Sequence, residues 1–238
     1  MNANDLYAGI LKLHILSGFL ALKSGLLIMV LPKGKYWHKL LGRLYYWSMA
    51  SVFGTSLLML ALQPEKLSLW FLGGVAIVSF YQTYTGRLRL NRDFSNYQPD
   101  NRDYLSFGLQ VVTGLAFLAG AAKLGWMGYT GYAILCGFFA QIAFWVCRED
   151  RYFLQGKQPP MAASAIAYHI SRMMGSYAAT ITAFLVNAVP RHLPESTPDW
   201  VYLSLWILPG TLIGGLGVIW KRRCKKKDTN AFHTAALS

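Results

Sequence analysis

Residues 6–31 read LYAGILKLHILSGFLALKSGLLIMVL, an apolar run interrupted only by Lys12, His14 and Lys23 among its strongly polar side chains. About 20 predominantly apolar residues suffice to cross the hydrocarbon core of a bilayer as a helix. The chain then turns basic and aromatic at Lys33-Gly34-Lys35-Tyr36-Trp37-His38-Lys39, the composition of a cytoplasmic membrane interface. Six further segments repeat this pattern, at 41–62, 67–86, 104–124, 126–147, 161–187 and 199–220. The expected fold is therefore all-α: a polytopic bundle of seven transmembrane helices over residues 1–220, followed by a basic cytoplasmic tail at 221–238.

Composition agrees. Of 238 residues 54% are hydrophobic and only 14% charged, where a soluble domain carries about a quarter charged residues. That excludes an ordinary soluble enzyme and a disordered chain. The net charge of +13 does not mark a nucleic-acid binder, because the basic residues sit in short loops between apolar segments. No basic region precedes the first apolar run and no small-residue cleavage site follows it, so a cleavable signal peptide is not expected. Cys136, Cys147 and Cys224 have no metal-site spacing, and no structural disulfide is expected.

The loops set the orientation. One side carries Lys33, Lys35, Lys39, Arg43, Arg87, Arg89, Arg92, Arg102, Arg148, Arg151, Lys157 and the six basic residues between Lys221 and Lys227. The other carries only Lys66, Lys123 and Arg191. The positive-inside rule puts the amino terminus outside and the carboxyl terminus in the cytoplasm. Gly210 and Gly214 form a GxxxG that reads as helix packing, and Pro209 should kink the last helix. An odd number of spans with no internal repeat argues against a pair of inverted transporter halves.

No Asp or Glu falls inside an expected span. A proton pump needs a membrane carboxylate, a retinal protein a lysine and counter-ion in its last span, and a seven-helix zinc hydrolase several histidines plus a carboxylate, where only two histidines lie within these spans. The sixth span is unusual for what it contains: Tyr168-His169-Ile170-Ser171-Arg172-Met173-Met174-Gly175-Ser176-Tyr177. His169, Arg172, Ser176, Thr180 and Asn187 share one helical face. A guanidinium at such depth costs at least about 3 kcal/mol and must find acceptors. Those acceptors are backbone carbonyls, a loop carboxylate such as Asp103 or Glu149, or a bound anion.

In the first span, His14, Ser17, Gly18, Ala21 and Gly25 form a small, slightly polar face suited to interhelical hydrogen bonding or to a flat ligand. His38 and Gly42, like His14 and Gly18, form H-x-x-x-G. Residues 14–49, together with the His169-x-x-Arg172-Met173-x-Gly175-Ser176-Tyr177 run and Thr182-Ala183-Phe184, resemble a bacterial membrane family known only as a domain of unknown function. That resemblance implies a multi-pass protein of a bacterial inner membrane and no activity. The string at 33–43 is locally similar to the ascorbate-reducible transmembrane cytochrome b family, which implies b-type haem on His14, His38 or His169, with Arg172 or Arg43 on a propionate. Haem with two imidazole ligands needs them at similar depth. Counting 1.5 Å per residue leaves His14 and His169 roughly 14 Å out of level, and His38 and His169 roughly 12 Å.

Three function classes follow. The first is a cytoplasmic-side intramembrane cavity lined by His169, Arg172, His38, Arg43 and Ser176 that binds a small anion or lipid headgroup. The second is a haem-binding redox protein, and the third an assembly factor for a membrane complex. No set of residues in the sequence marks the chain as an enzyme.

Overall fold

The computed structural model describes residues 3–91, 98–157 and 165–235. Seven helices and no strand are found among them: α1 (Ala3–Val30), α2 (Tyr36–Leu62), α3 (Leu67–Leu88), α4 (Asn101–Trp126), α5 (Thr130–Leu154), α6 (Ala165–Ala188) and α7 (Asp199–Ala235), with short 3-10 turns after α3 and α6. The start of the expected sixth span, residues 161–164, lies outside the described residues, as do Arg92 and the side chain of Cys224.

Local signals set the helix ends. Gly34, at φ +76°, lets the chain turn between α1 and α2; Gly128, at φ +83°, does so between α4 and α5. Asp100 caps α4 by accepting from the backbone N–H groups of Arg102 and Asp103, while the Asp103 carboxylate accepts from the Asp100 N–H.

Consecutive helices pair as hairpins, α1 with α2, α4 with α5, and α6 with α7, while α3 and α6 meet at the centre. One apolar cluster joins Ala21, Tyr45, Met49, Met174, Tyr177, Ala178 and Ile213. A second joins Val78, Phe117, Cys136, Phe139, Ala140 and Ala143. Large apolar side chains such as Leu16, Leu26, Leu105, Val112 and Leu212 point outward, as lipid-facing surfaces require.

Six helices are long and apolar enough to cross a membrane: α1 to α5 and the Asp199–Trp220 part of α7. The sequence expects seven, and α6 is the exception. Its buried side includes Tyr168, Arg172, Ser176, Thr180 and Thr182, groups that reduce its hydropathy because they face other helices.

Two further expectations are corrected. The fifth helix does not stop at residue 147 but continues to Leu154, carrying Glu149 and Asp150 as buried residues. The carboxylates assigned to a loop thus belong to the bundle. The last helix does not end at residue 220: α7 runs through Pro209 to Ala235 without interruption.

Candidate functional site

Where α3, α5 and α6 converge, the helices must come close. A Cβ on Gly86 of α3 would lie 2.8 Å from the Arg172 Cβ, and one on Gly175 of α6 would overlap the Gln82 Oε1. This approach brings Arg172, 1% exposed, into the ends of α3 and α5. Its Nη2 donates to the Val146 carbonyl at 3.1 Å, to Glu149 Oε2 at 3.1 Å and to Asp150 Oδ1 at 2.8 Å. The guanidinium lies 4.7 Å from the Tyr168 ring centre.

Asp150 is the hub. Its Oδ1 also accepts from Arg89 Nη1 at 2.6 Å and from the Tyr168 hydroxyl at 2.7 Å, and its Oδ2 accepts from the Tyr81 hydroxyl. Arg89 sits over the Phe153 ring at 4.4 Å and faces Asp103 across 3.6 Å. Two guanidiniums and three carboxylates are thus buried together. Sequence reasoning names Glu149 and Asp103 as candidate partners for Arg172; the structure gives it Glu149 and Asp150, and gives Asp103 to Arg89. Tyr81, Arg89 and Asp150 are the members it misses. The signal for Asp150 is the spacing of Ala143, Val146, Asp150 and Phe153, which continues one buried stripe past the end of the apolar run.

Against this cluster lies a cavity of about 330 Å³ between α3, α5, α6 and α7. Val78, Phe138, Phe139, Ile142, Ala178 and Trp206 supply apolar walls, and Gln82, Glu149, Ser171 and Arg172 a polar end. Along α5 the lining runs from Phe138 to Glu149, roughly 16 Å at 1.5 Å per residue. Gln141 and Trp145, both exposed, stand at its edge. Gly210 and Gly214 line it too; a Cβ on Gly214 would meet nothing within 4 Å, so the GxxxG leaves open space here, while Gly217 takes the close contact with Met174. Two atoms of the polar end, Glu149 Oε1 and Arg172 Nε, are buried without a hydrogen-bond partner among the described residues.

Of the candidate ligand residues, Arg172 alone lines this cavity. His169 Nδ1 is 2.9 Å from the Gly86 carbonyl oxygen. Ser176 is taken up by the Tyr45 hydroxyl at 2.8 Å and by Thr83. Arg43 is exposed, and His38 lies beside the Ile28 carbonyl at the start of α2, within electrostatic reach of His169. His14 reaches across to Thr55 at 3.0 Å, next to a Ser17–Ser51 hydrogen bond, in a polar seam between α1 and α2.

His14 and His169 do not fit as a haem pair. Gly25 packs on the rings of Tyr45 and Tyr177, which fixes the relative levels of α1 and α6. Counting from that contact up α1 to His14 and down α6 to His169 separates the two residues by roughly 28 Å along the bundle. No histidine lines the cavity among α3, α5, α6 and α7.

Comparison with protein-family models, with curated proteins and with solved structures returns no match. The fold and the site define a helical bundle whose six apolar helices mark it as a multi-pass membrane protein, and its function is argued from the cavity.

Proposed function

We propose that this is a seven-span membrane protein, amino terminus outside and carboxyl terminus cytoplasmic, that binds an amphiphile inside the bilayer. The residues 14–49 resemblance supports a bacterial inner membrane as its location. The observation that carries the binding reading is the cavity between α3, α5, α6 and α7. It is apolar along most of its length and ends at Glu149 and Arg172, each with a buried atom that lacks a partner. Unpaired buried polar atoms are costly, and a ligand headgroup with hydrogen-bonding atoms would satisfy them. An apolar pocket with a few convergent polar groups is the usual form of a small-molecule site.

A lipid-like ligand accounts for this better than a free inorganic anion. Arg172 already donates to two carboxylates, and a small anion would leave the apolar walls unfilled. Access from the bilayer is favoured by the slight contact between α5 and α7.

The test is to purify the chain in mild detergent, extract it with solvent and identify retained amphiphiles by mass spectrometry. Ala179→Phe places a ring in the cavity and should remove the retained species without lowering the thermal midpoint by more than a few degrees. Equal retention by the folded variant would refute the reading.

A further inference from the structure

Among the described residues the buried charges do not balance, and we infer that the amphiphile bound here carries a primary ammonium head. The inference rests on the cavity being an amphiphile site. Among the described residues, Arg89 and Arg172 stand against Asp103, Glu149 and Asp150. Asp150 is saturated, with both oxygens accepting. Asp103 faces Arg89 with one oxygen and caps α4 with the other. Glu149 remains. Its Oε2 shares a single Arg172 nitrogen with Val146 and Asp150, and its Oε1 is buried and accepts nothing.

Glu149 is also the only one of the three carboxylates that lines the cavity. Its residue is 7% exposed, so water reaches it poorly. The nearby cations on its own helix do not compensate: Arg148 is exposed and lies by the Trp145 ring, and Arg151 is exposed and lies by Tyr152.

A buried carboxylate oxygen at the wall of an apolar cavity is best satisfied by a charged donor. An ammonium supplies one N–H to Glu149 Oε1 and has two more to offer. Gln82 Oε1, also on the lining, accepts no hydrogen bond from the described residues. A carboxylate or lone phosphate head could accept from the idle Arg172 Nε–H, but it would set its charge against Glu149, which already pairs with that guanidinium. An alcohol offers one neutral donor. The walls from Phe138 to Ile142 then hold an alkyl chain of medium length. An alkylamine and an aminophospholipid share this head.

The experiment is calorimetric titration of the purified full chain with decylamine, decanol and decanoate, which share one chain and differ in the head. Decylamine should bind about tenfold tighter than decanol, the difference between a charged and a neutral hydrogen bond, and decanoate weakest. Glu149→Gln should bring decylamine to the level of decanol, and Ala179→Phe should abolish binding of all three. If Glu149→Gln does not fold, the wild-type ranking decides alone. Decanol or decanoate binding as tightly as decylamine would overturn the ammonium inference and leave the cavity reading intact. No binding by any of the three would overturn both. Nanodiscs of phosphatidylethanolamine that compete with decylamine, where phosphatidylcholine does not, would support the inference with a bilayer aminolipid as the source; the absence of competition would support it with a free amphiphilic amine.

Discussion

Asp150 accepts from Tyr81, Arg89, Tyr168 and Arg172, so removing its charge takes the nearest counter-charge from two buried guanidiniums and leaves Glu149 to Arg172 and Asp103 to Arg89. Breaking a buried ion pair by deleting one partner costs about 3–5 kcal/mol, and Asp150→Asn should cost at least that. Glu149 has one shared hydrogen bond and an idle oxygen. Glu149→Gln should therefore cost about 1 kcal/mol or less in the absence of ligand. Thermal melts in detergent, followed by circular dichroism, distinguish the two; equal losses would show that the carboxylates act as one unit. Tyr81→Phe leaves Asp150 Oδ2 without its donor and should fall between them, at about 1–3 kcal/mol. These differences were only half legible in the sequence. Arg172 announces itself by standing in an apolar run, but which carboxylate it meets depends on where α5 ends. Hydropathy places that end at the first charges, whereas the structure carries the helix two turns further because those charges are paired.

At the scale of elements, α6 owes its place to its neighbours. Read alone it is the one helix of the seven without a stretch apolar enough to cross a membrane, since Arg172, Ser176 and Thr180 face α5, α3 and α2 through Asp150, Thr83 and Tyr45. Outside the bundle it should insert poorly, and a microsomal insertion assay on residues 161–187 should show this. Arg172→Leu should raise its insertion strongly, by about the 2.5–3.5 kcal/mol that an arginine at a helix centre costs in such assays. Unchanged insertion would mean the arginine reaches an interface by itself. The close α3–α6 crossing gives a second expectation. Gly86→Ala sets a Cβ against the backbone-proximal part of Arg172, which cannot swing away, and overpacking of this kind costs about 1–3 kcal/mol. Gly108→Ala on α4 meets nothing within 4 Å and should be neutral or slightly stabilising. A melt in which both variants behave alike would argue against the tight crossing. The sequence shows glycine at both positions and gives no way to tell them apart, because the difference lies in the partner helix.

For the whole molecule, the number of crossings decides where the termini lie. The apolar runs of α1 to α5 and α7 are plain in the sequence, and the structure retains all of them as helices. A cavity at Arg172 is expected from the sequence, but its other walls are not legible there, because they are side chains from four helices and only their packing reveals which residues remain uncovered. Crossing by α6 is favoured by two physical facts. Its 24 residues measure roughly 36 Å at 1.5 Å per residue, enough for a hydrocarbon core of about 30 Å. Its costly groups are also paired inside the bundle and do not face lipid, with Arg172 only 1% exposed. Seven crossings put the termini on opposite faces; six would put them on the same face. The distribution of Lys and Arg in the loops assigns the carboxyl terminus to the cytoplasm. An epitope before residue 1 should therefore be accessible to antibody on intact spheroplasts, and one after residue 238 only after permeabilisation. Both epitopes on one face would remove α6 from the membrane and with it the bilayer location of the cavity. Opposite faces in the reverse sense would keep the bundle and invert every depth assigned to it.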